Sequence, residues 1–224
     1  MKVILFDIDR TLVHDGGAGK KALFFSFKKV FGIDHDFGIM AGKTDSSILK
    51  QALKANNIEE NKSRIADFKK FYYSVLLSNI EKDLPGKRVC IGANKLLKEL
   101  GANNNIKMGL LTGNWKEGAY IKLKYFGLGD YFSFGAFADD AIRRNDLFPF
   151  AVKRCNDCTK LDLKEFIIIG DTPKDIECAM VHGCRSLGVG TGRFSTQELI
   201  KNGADHAVDD LAETEEIASW ILNN

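Results

Sequence analysis

The chain carries no surplus of either charge: 32 basic side chains stand against 30 acidic ones, a net of +2 over 224 residues. Without a basic excess there is no electrostatic footprint for nucleic acid, and without an acidic run there is no solvating tail. No stretch reaches the ~18 apolar residues that a membrane-crossing helix needs. The N-terminus runs straight into an apolar strand-type segment and does not read as a signal peptide. The expectation is a cytoplasmic protein with neither nucleic acid nor membrane as partner. The four histidines (His14, His35, His182, His206) have neither metal-ligand nor triad spacing. Five cysteines form no even framework, and Cys155-Asn156-Asp157-Cys158 has no second Cys pair or His pair to complete a zinc site. Reduced thiols on a helix are expected there. Gly190-Thr191-Gly192-Arg193 is too short for a dinucleotide fingerprint and is expected to be a plain loop.

What is present is alternation. Short apolar runs at Val3–Phe6, Lys107–Leu111, Phe166–Ile169, Ser186–Val189 and His206–Val208 read as buried strands. Helical patterns lie between or after them at Ala93–Leu100, Trp115–Phe126, Leu147–Asn156, Pro173–His182, Thr196–Asn202 and Glu213–Leu222. This order predicts an α/β fold, a doubly wound, Rossmann-like parallel sheet with helices on both faces. One interval breaks the pattern. Residues 16–83 show no strand but several amphipathic runs, with Ile65, Phe68, Tyr72, Val75 and Leu76 at helical spacing. Phe24, Phe27, Phe31, Ala22, Leu23, Phe25 and Val30 supply further apolar faces. Gly16-Gly17-Ala18-Gly19 and Leu84-Pro85-Gly86 bound the interval as hinge or turn segments. The expected organisation is a core domain at 1–15 and 84–224, with an all-helical cap domain inserted at 16–83.

Chemistry-bearing residues gather at the predicted strand ends. Asp7 and Asp9 flank one residue after the first strand, on the same side. Packing alone would not keep two acids so placed; they can divide nucleophilic and proton-transfer work. The second strand ends in Thr112-Gly113-Asn114 before a helix, where backbone N–H groups favour an anion. Arg143-Arg144 precedes another helix, and Asp171 and Asp175 follow the third strand, four residues apart. Asp7, Asp171 and Asp175 would converge on one site. At 4 Å a single like-charged pair costs about 4 kcal/mol at an effective dielectric of 20, so three acids require a cation. An all-oxygen donor set suits Mg²⁺.

Asp7-Ile8-Asp9-Arg10-Thr11, Thr112, Arg144 and the pair Asp171/Asp175, with a cap in the gap after the first motif, resemble the haloacid dehalogenase-like phosphohydrolases of the phosphoglycolate phosphatase-like branch. That resemblance implies a Mg²⁺-dependent phosphatase acting on a small phosphate ester through an aspartyl-phosphate. It implies Asp7 as nucleophile and Asp9 as proton donor and acceptor. Mg²⁺ would be held by Asp7, the Asp9 carbonyl, Asp171 and, directly or through water, Asp175. Thr112, Gly113 and Arg144 would meet the phosphate, and Thr11 would steady the loop. Asn114 is expected either to donate to the nucleophile or phosphate or to cap the following helix, and Lys43 to meet a second anionic group of the substrate. Arg10 departs from the family's usual glycine and is expected to be solvated, cap-facing or directed at the substrate. A phosphomutase of the same superfamily is the alternative; a phosphoryl-accepting signalling domain is the alternative of another class.

Overall fold

The computed structural model describes residues 1–155, 158 and 161–223. Its strands and helices, in chain order, are β1 (Lys2–Phe6), β2 (Val13–His14), α1 (Ala18–Phe31), α2 (Asp45–Ala55), α3 (Lys62–Ile80), β3 (Arg88–Val89), α4 (Ala93–Gly101), β4 (Ile106–Leu111), α5 (Lys116–Tyr125) and β5 (Phe134–Ala136). There follow α6 (Phe148–Arg154), β6 (Phe166–Gly170), α7 (Pro173–His182), β7 (Arg185–Val189), α8 (Thr196–Lys201), β8 (His206–Val208) and α9 (Thr214–Asn223).

Six strands form a parallel sheet in the order β5-β4-β1-β6-β7-β8. Both faces are covered, which is why the central strands are nearly unbroken apolar runs. Side chains alternate across β1: Ile4 and Phe6 pack with α4, α5 and α9 through Leu96, Leu97, Leu123 and Ile217. Val3 and Leu5 face the other way, towards Phe148, Ala151 and Ala179 of α6 and α7. From β1 the chain builds outwards to β4 and β5 on one side, then returns to lay β6, β7 and β8 on the other. The crevice beyond the carboxyl end of β1 is therefore the topological switch point, where such sheets bind ligands.

Helices α1, α2 and α3 fill the interval between β2 and β3 around their own apolar cluster, with Leu23, Phe27, Leu49, Phe68, Tyr72 and Leu76 inside. The two-residue antiparallel ladder of β2 and β3 joins the two ends of this insertion. Trp115, from the sheet-bearing part, is fully buried in the same cluster. Phe24 and Phe25 depart from expectation, being 37% and 53% exposed. A helix apolar over four successive residues, Ala22–Phe25, cannot turn them all inwards; Leu23 and Phe27, four apart, take the buried face.

The cysteine expectation is also corrected. Helix α6 ends at Arg154, Cys155 has extended backbone, and Cys155 and Cys158 are joined as a disulfide. A turn hydrogen bond from the Cys158 N–H to the Cys155 carbonyl (3.1 Å) holds their Cα atoms 5.4 Å apart, inside the disulfide range. Asn156, the expected end of that helix, lies outside the described residues.

Candidate active site

Four segments meet at the switch point. Asp7 and Asp9 leave the end of β1, Thr112 the end of β4 and Asp171 the end of β6; Arg144 enters from the turn before α6. Asp7, Asp9, Arg144 and Asp171 border a cavity of about 430 Å³ that also touches Arg10, Asp15, Lys43, Asp45, Tyr72, Lys122 and Arg193, while Thr112 lies fully buried behind Asn114.

Carboxylate oxygens of Asp7, Asp171 and Asp175 lie within 4.8 Å of one another, and all three residues are buried. Burial, then Arg144 against it and Asp175 with it, leaves Asp7 raised above its usual value. Burial, followed by Asp7 and Asp175, pushes Asp171 up much further. Three packed acids therefore lack enough positive charge. Arg144 supplies part of it, its Nη2 lying 3.1 Å from Asp7 Oδ1 and in contact with Asp175 Oδ1, while donating to the Leu111 carbonyl at 2.9 Å. Its Nε is buried without a hydrogen-bond partner. Arg143 points elsewhere, exposed and bonded to Asp146 at 2.9 Å, so Arg144 is the arginine at the site.

Asp175 is tied down on both oxygens. Besides Arg144, it accepts the Thr172 N–H (3.0 Å) and Oγ1–H (2.7 Å) as the capping box of α7. Asp7 and Asp171 are the less committed pair. Beside them Gly192 makes room: a Cβ there would lie 1.8 Å from Asp171 Oδ2. The Gly190–Arg193 loop is thus part of the site's wall rather than a bystander, and Thr191 Oγ1 bonds the Arg10 carbonyl. Gly192→Ala should displace the Asp171 carboxylate. The expected result is loss of divalent-ion binding by isothermal titration, with the melting temperature changed far less than the affinity.

Asp9 is held differently. Its carboxylate, 41% exposed towards the cavity, receives the Lys122 ammonium on both oxygens at 2.7 Å and the Asn114 amide at 2.8 Å. Lost solvation still raises it, against the pull of Lys122. Asn114 neither caps the following helix nor donates to Asp7; it bonds the second acid instead. Its Nδ2 donates to Asp9 and to Thr112 Oγ1 (2.9 Å), and Trp115, which makes no side-chain capping bond, stands at the cap position of α5. Thr11 is fully buried and its hydroxyl has no partner, so it acts on the loop by packing alone. Lys43 lines the cavity but donates to Gln51 at 2.9 Å. Arg10 sits at the cavity edge with φ of +67°, a left-handed conformation costing a non-glycine residue roughly 1–2 kcal/mol. Hydrogen bonds to its backbone from Cys90 and Thr191 and to Val13 hold it there.

The insertion is clamped over this site. The Asp45 N–H donates to the Gly113 carbonyl (2.7 Å), and the Trp115 N–H to Asp45 Oδ2 (2.9 Å). Ser46 Oγ donates to the Ala138 carbonyl (2.6 Å), and Thr44 Oγ1 to that of Ile142. Burial pushes Asp45 up to about 7, against the pull of Lys122. Ser46 and Lys122 carried no expectation from the sequence; Lys122 left one trace, a lysine within the buried stripe Gly118, Ala119, Leu123 of α5.

A doubly wound parallel sheet with an acid-rich crevice at its switch point defines a Rossmann-like α/β protein with a ligand site at the strand ends. The profile of the haloacid dehalogenase-like hydrolases matches residues 4–189, and the chain belongs to that family. A phosphoglycolate phosphatase from Pectobacterium atrosepticum is 24% identical over 216 residues, covering 94% of this chain and 89% of that protein. In fold the chain is similar to a β-phosphoglucomutase from Clostridium difficile, with a TM-score of 0.76 and 22% identity over 100% of this chain and 98% of that one. A hydrolase from Pseudomonas syringae gives 0.73 and 19% over 99% of each chain.

Proposed function

We propose that this protein hydrolyses a small phosphate monoester with a divalent cation, Mg²⁺, in attendance and Asp7 as the group that takes the phosphoryl unit. The observation that carries the reading is the meeting of Asp7, Asp9, Arg144 and Asp171 around one cavity at the switch point, with Thr112 joined to it through Asn114. The donor set fits a hard cation: buried carboxylates on Asp7 and Asp171, an under-neutralised charge, and a wall that only glycine leaves open. Asp7, Asp171 and the Asp9 carbonyl would hold it, with Asp175 acting through water because its oxygens are engaged. When bound, the ion supplies neutralising charge that lets an anionic ester approach an anionic nucleophile.

The chain's own groups do the rest. Asp7 attacks phosphorus in line and the ester bond to the leaving oxygen breaks, giving an aspartyl-phosphate. Asp9 gives its proton to the departing alkoxide, then takes one from the water that cleaves the intermediate. Arg144, with its unpaired Nε, and the Thr112 hydroxyl meet the charge on the non-bridging oxygens. The helical insertion serves as a cap that excludes bulk water, with Gly16 and Gly17 (φ +64° and +83°) as its hinge. A cavity of about 430 Å³ suits a small metabolite.

The test is phosphate release from a panel of phosphorylated metabolites. Chelator-treated protein should be inactive, Mg²⁺ should restore many turnovers per chain, and free phosphate should accumulate. Undiminished activity in chelator, isomerised ester without free phosphate, or a single phosphate per chain would each contradict the proposal.

A further inference from the structure

The phosphatase mechanism leaves Lys122 without a task, although it is the most tightly enclosed lysine at the site. It projects from α5 and its side chain is only 4% exposed. Its ammonium meets both Asp9 oxygens at 2.7 Å and Asn114 Oδ1 at 2.8 Å, and stands 3.7 Å from Asp15 Oδ2. Burial works against its charge, but Asp9, Asp15 and Asp45 outweigh that and hold the ammonium above its ordinary value. A buried ion pair is weak grounds for a purely stabilising role, since removing charges from water offsets most of what pairing gains.

The arrangement of bonds gives the lysine a different use. A carboxylate at a strand end facing a cavity can rotate about its side-chain torsions. Here one ammonium spans both oxygens while Asn114 fixes Oδ2, so the plane of the group is set by three hydrogen bonds. Each carboxylate oxygen offers about two acceptor positions. Oδ2 uses two, to Lys122 and Asn114; Oδ1 uses one. The unused position on Oδ1 is where a proton can be held for transfer. Asp15 extends the grip, since its oxygens also accept the N–H groups of Gly17 and Gly19 at 2.8 Å, in the segment that leads into α1.

We infer that Lys122 is a positioning residue, orienting Asp9 so that Oδ1 can deliver its proton to the leaving oxygen. The inference rests on the acid–base role proposed above for Asp9. It is tested by measuring kcat/KM, which reports only the first phosphoryl transfer, on monoesters ranging from p-nitrophenyl phosphate to a simple alkyl phosphate. A nitrophenolate leaves without help, whereas an alkoxide needs the proton. Lys122→Met should lose about 100-fold on the alkyl ester, the low end of the general-acid range, and less than about 3-fold on the nitrophenyl ester. Asp9→Asn should show the same selectivity. Equal losses on both esters in Lys122→Met alone, with Asp9→Asn selective, would overturn the inference and leave the phosphatase reading intact. If Asp9→Asn is unselective, the acid role fails and this inference fails with it.

Should Lys122→Met not fold, the charge-matched double variant Asp9→Asn/Lys122→Met replaces it, with Asp9→Asn as the reference. A residue that works through Asp9 has nothing left to position, so the two should match on every ester. A further loss of about tenfold or more in the double variant would mark an independent role and overturn the inference.

Discussion

Asp7→Asn abolishes phosphate release while leaving the fold at least as stable as the wild type. The activity half follows from chemistry: an amide is no nucleophile towards phosphorus, and each factor of ten lost is about 1.4 kcal/mol of barrier. Loss of a covalent catalyst should cost on the order of 10³-fold or more, beyond what a proton-transfer group contributes. The stability half follows from charge. Asp7 shares a buried cluster with Asp171 and Asp175, and burial already raises its pKa. A carboxyl raised in the fold opposes folding once pH exceeds its unfolded value, because the unfolded chain then releases the proton more readily. Removing that charge relieves the cluster, so without metal the variant should melt no lower than the wild type at neutral pH. Thermal melting with and without Mg²⁺, beside a phosphate-release assay, reads both halves. An active Asp7→Asn, or one that is inactive because it is unfolded, would contradict them.

The second large effect is expected at Arg144, with the opposite stability sign. Its guanidinium is 4% exposed and pairs with Asp7 and Asp175 while holding the Leu111 carbonyl. Arg144→Met leaves two buried carboxylates short of a counter-charge. Breaking a buried pair from one side typically costs about 3–5 kcal/mol, a large share of a domain's stability. Phosphate affinity falls in the same variant, because the unpaired Nε is lost with the rest of the group. Urea unfolding and product inhibition by inorganic phosphate measure the two effects separately. The neighbouring Arg143→Ala should change neither, since that side chain is exposed and bonds only Asp146. Equal behaviour of the two variants would refute the assignment.

The sheet was legible in the sequence wherever a run of apolar residues was long enough to be buried on both faces, as in Val3–Phe6 and Phe166–Ile169. Strand β5 was not. Phe134-Gly135-Ala136 is only three residues at the sheet edge, and its pairing with Gly109–Leu111 gives it its place. The gathering of Asp7, Thr112 and Asp171 followed from their position at strand ends, which the order of elements alone predicts, whereas Arg144 enters from the turn before α6 and was legible through the family-like motif order. Lys122 and Asn114 were harder because their roles are purely tertiary: Lys122 meets Asp9 across 113 positions, and nothing local distinguishes it from a solvated lysine beyond its buried neighbours. Gly192 was dismissed with its loop, since the closeness of Asp171 is a fact of packing, not of motif. The same holds for the Cys155–Cys158 link, which depends on where α6 stops.

Rapid acid quenching during turnover of a nitrophenyl ester, followed by mass analysis of the proteolysed protein, addresses the first carboxylate directly. A phosphoryl group should appear on Asp7 in the wild type and none in Asp7→Asn. Steady accumulation of free phosphate with every peptide unmodified at all quench times would mean that water attacks the ester itself, and that Asp7 is not the nucleophile.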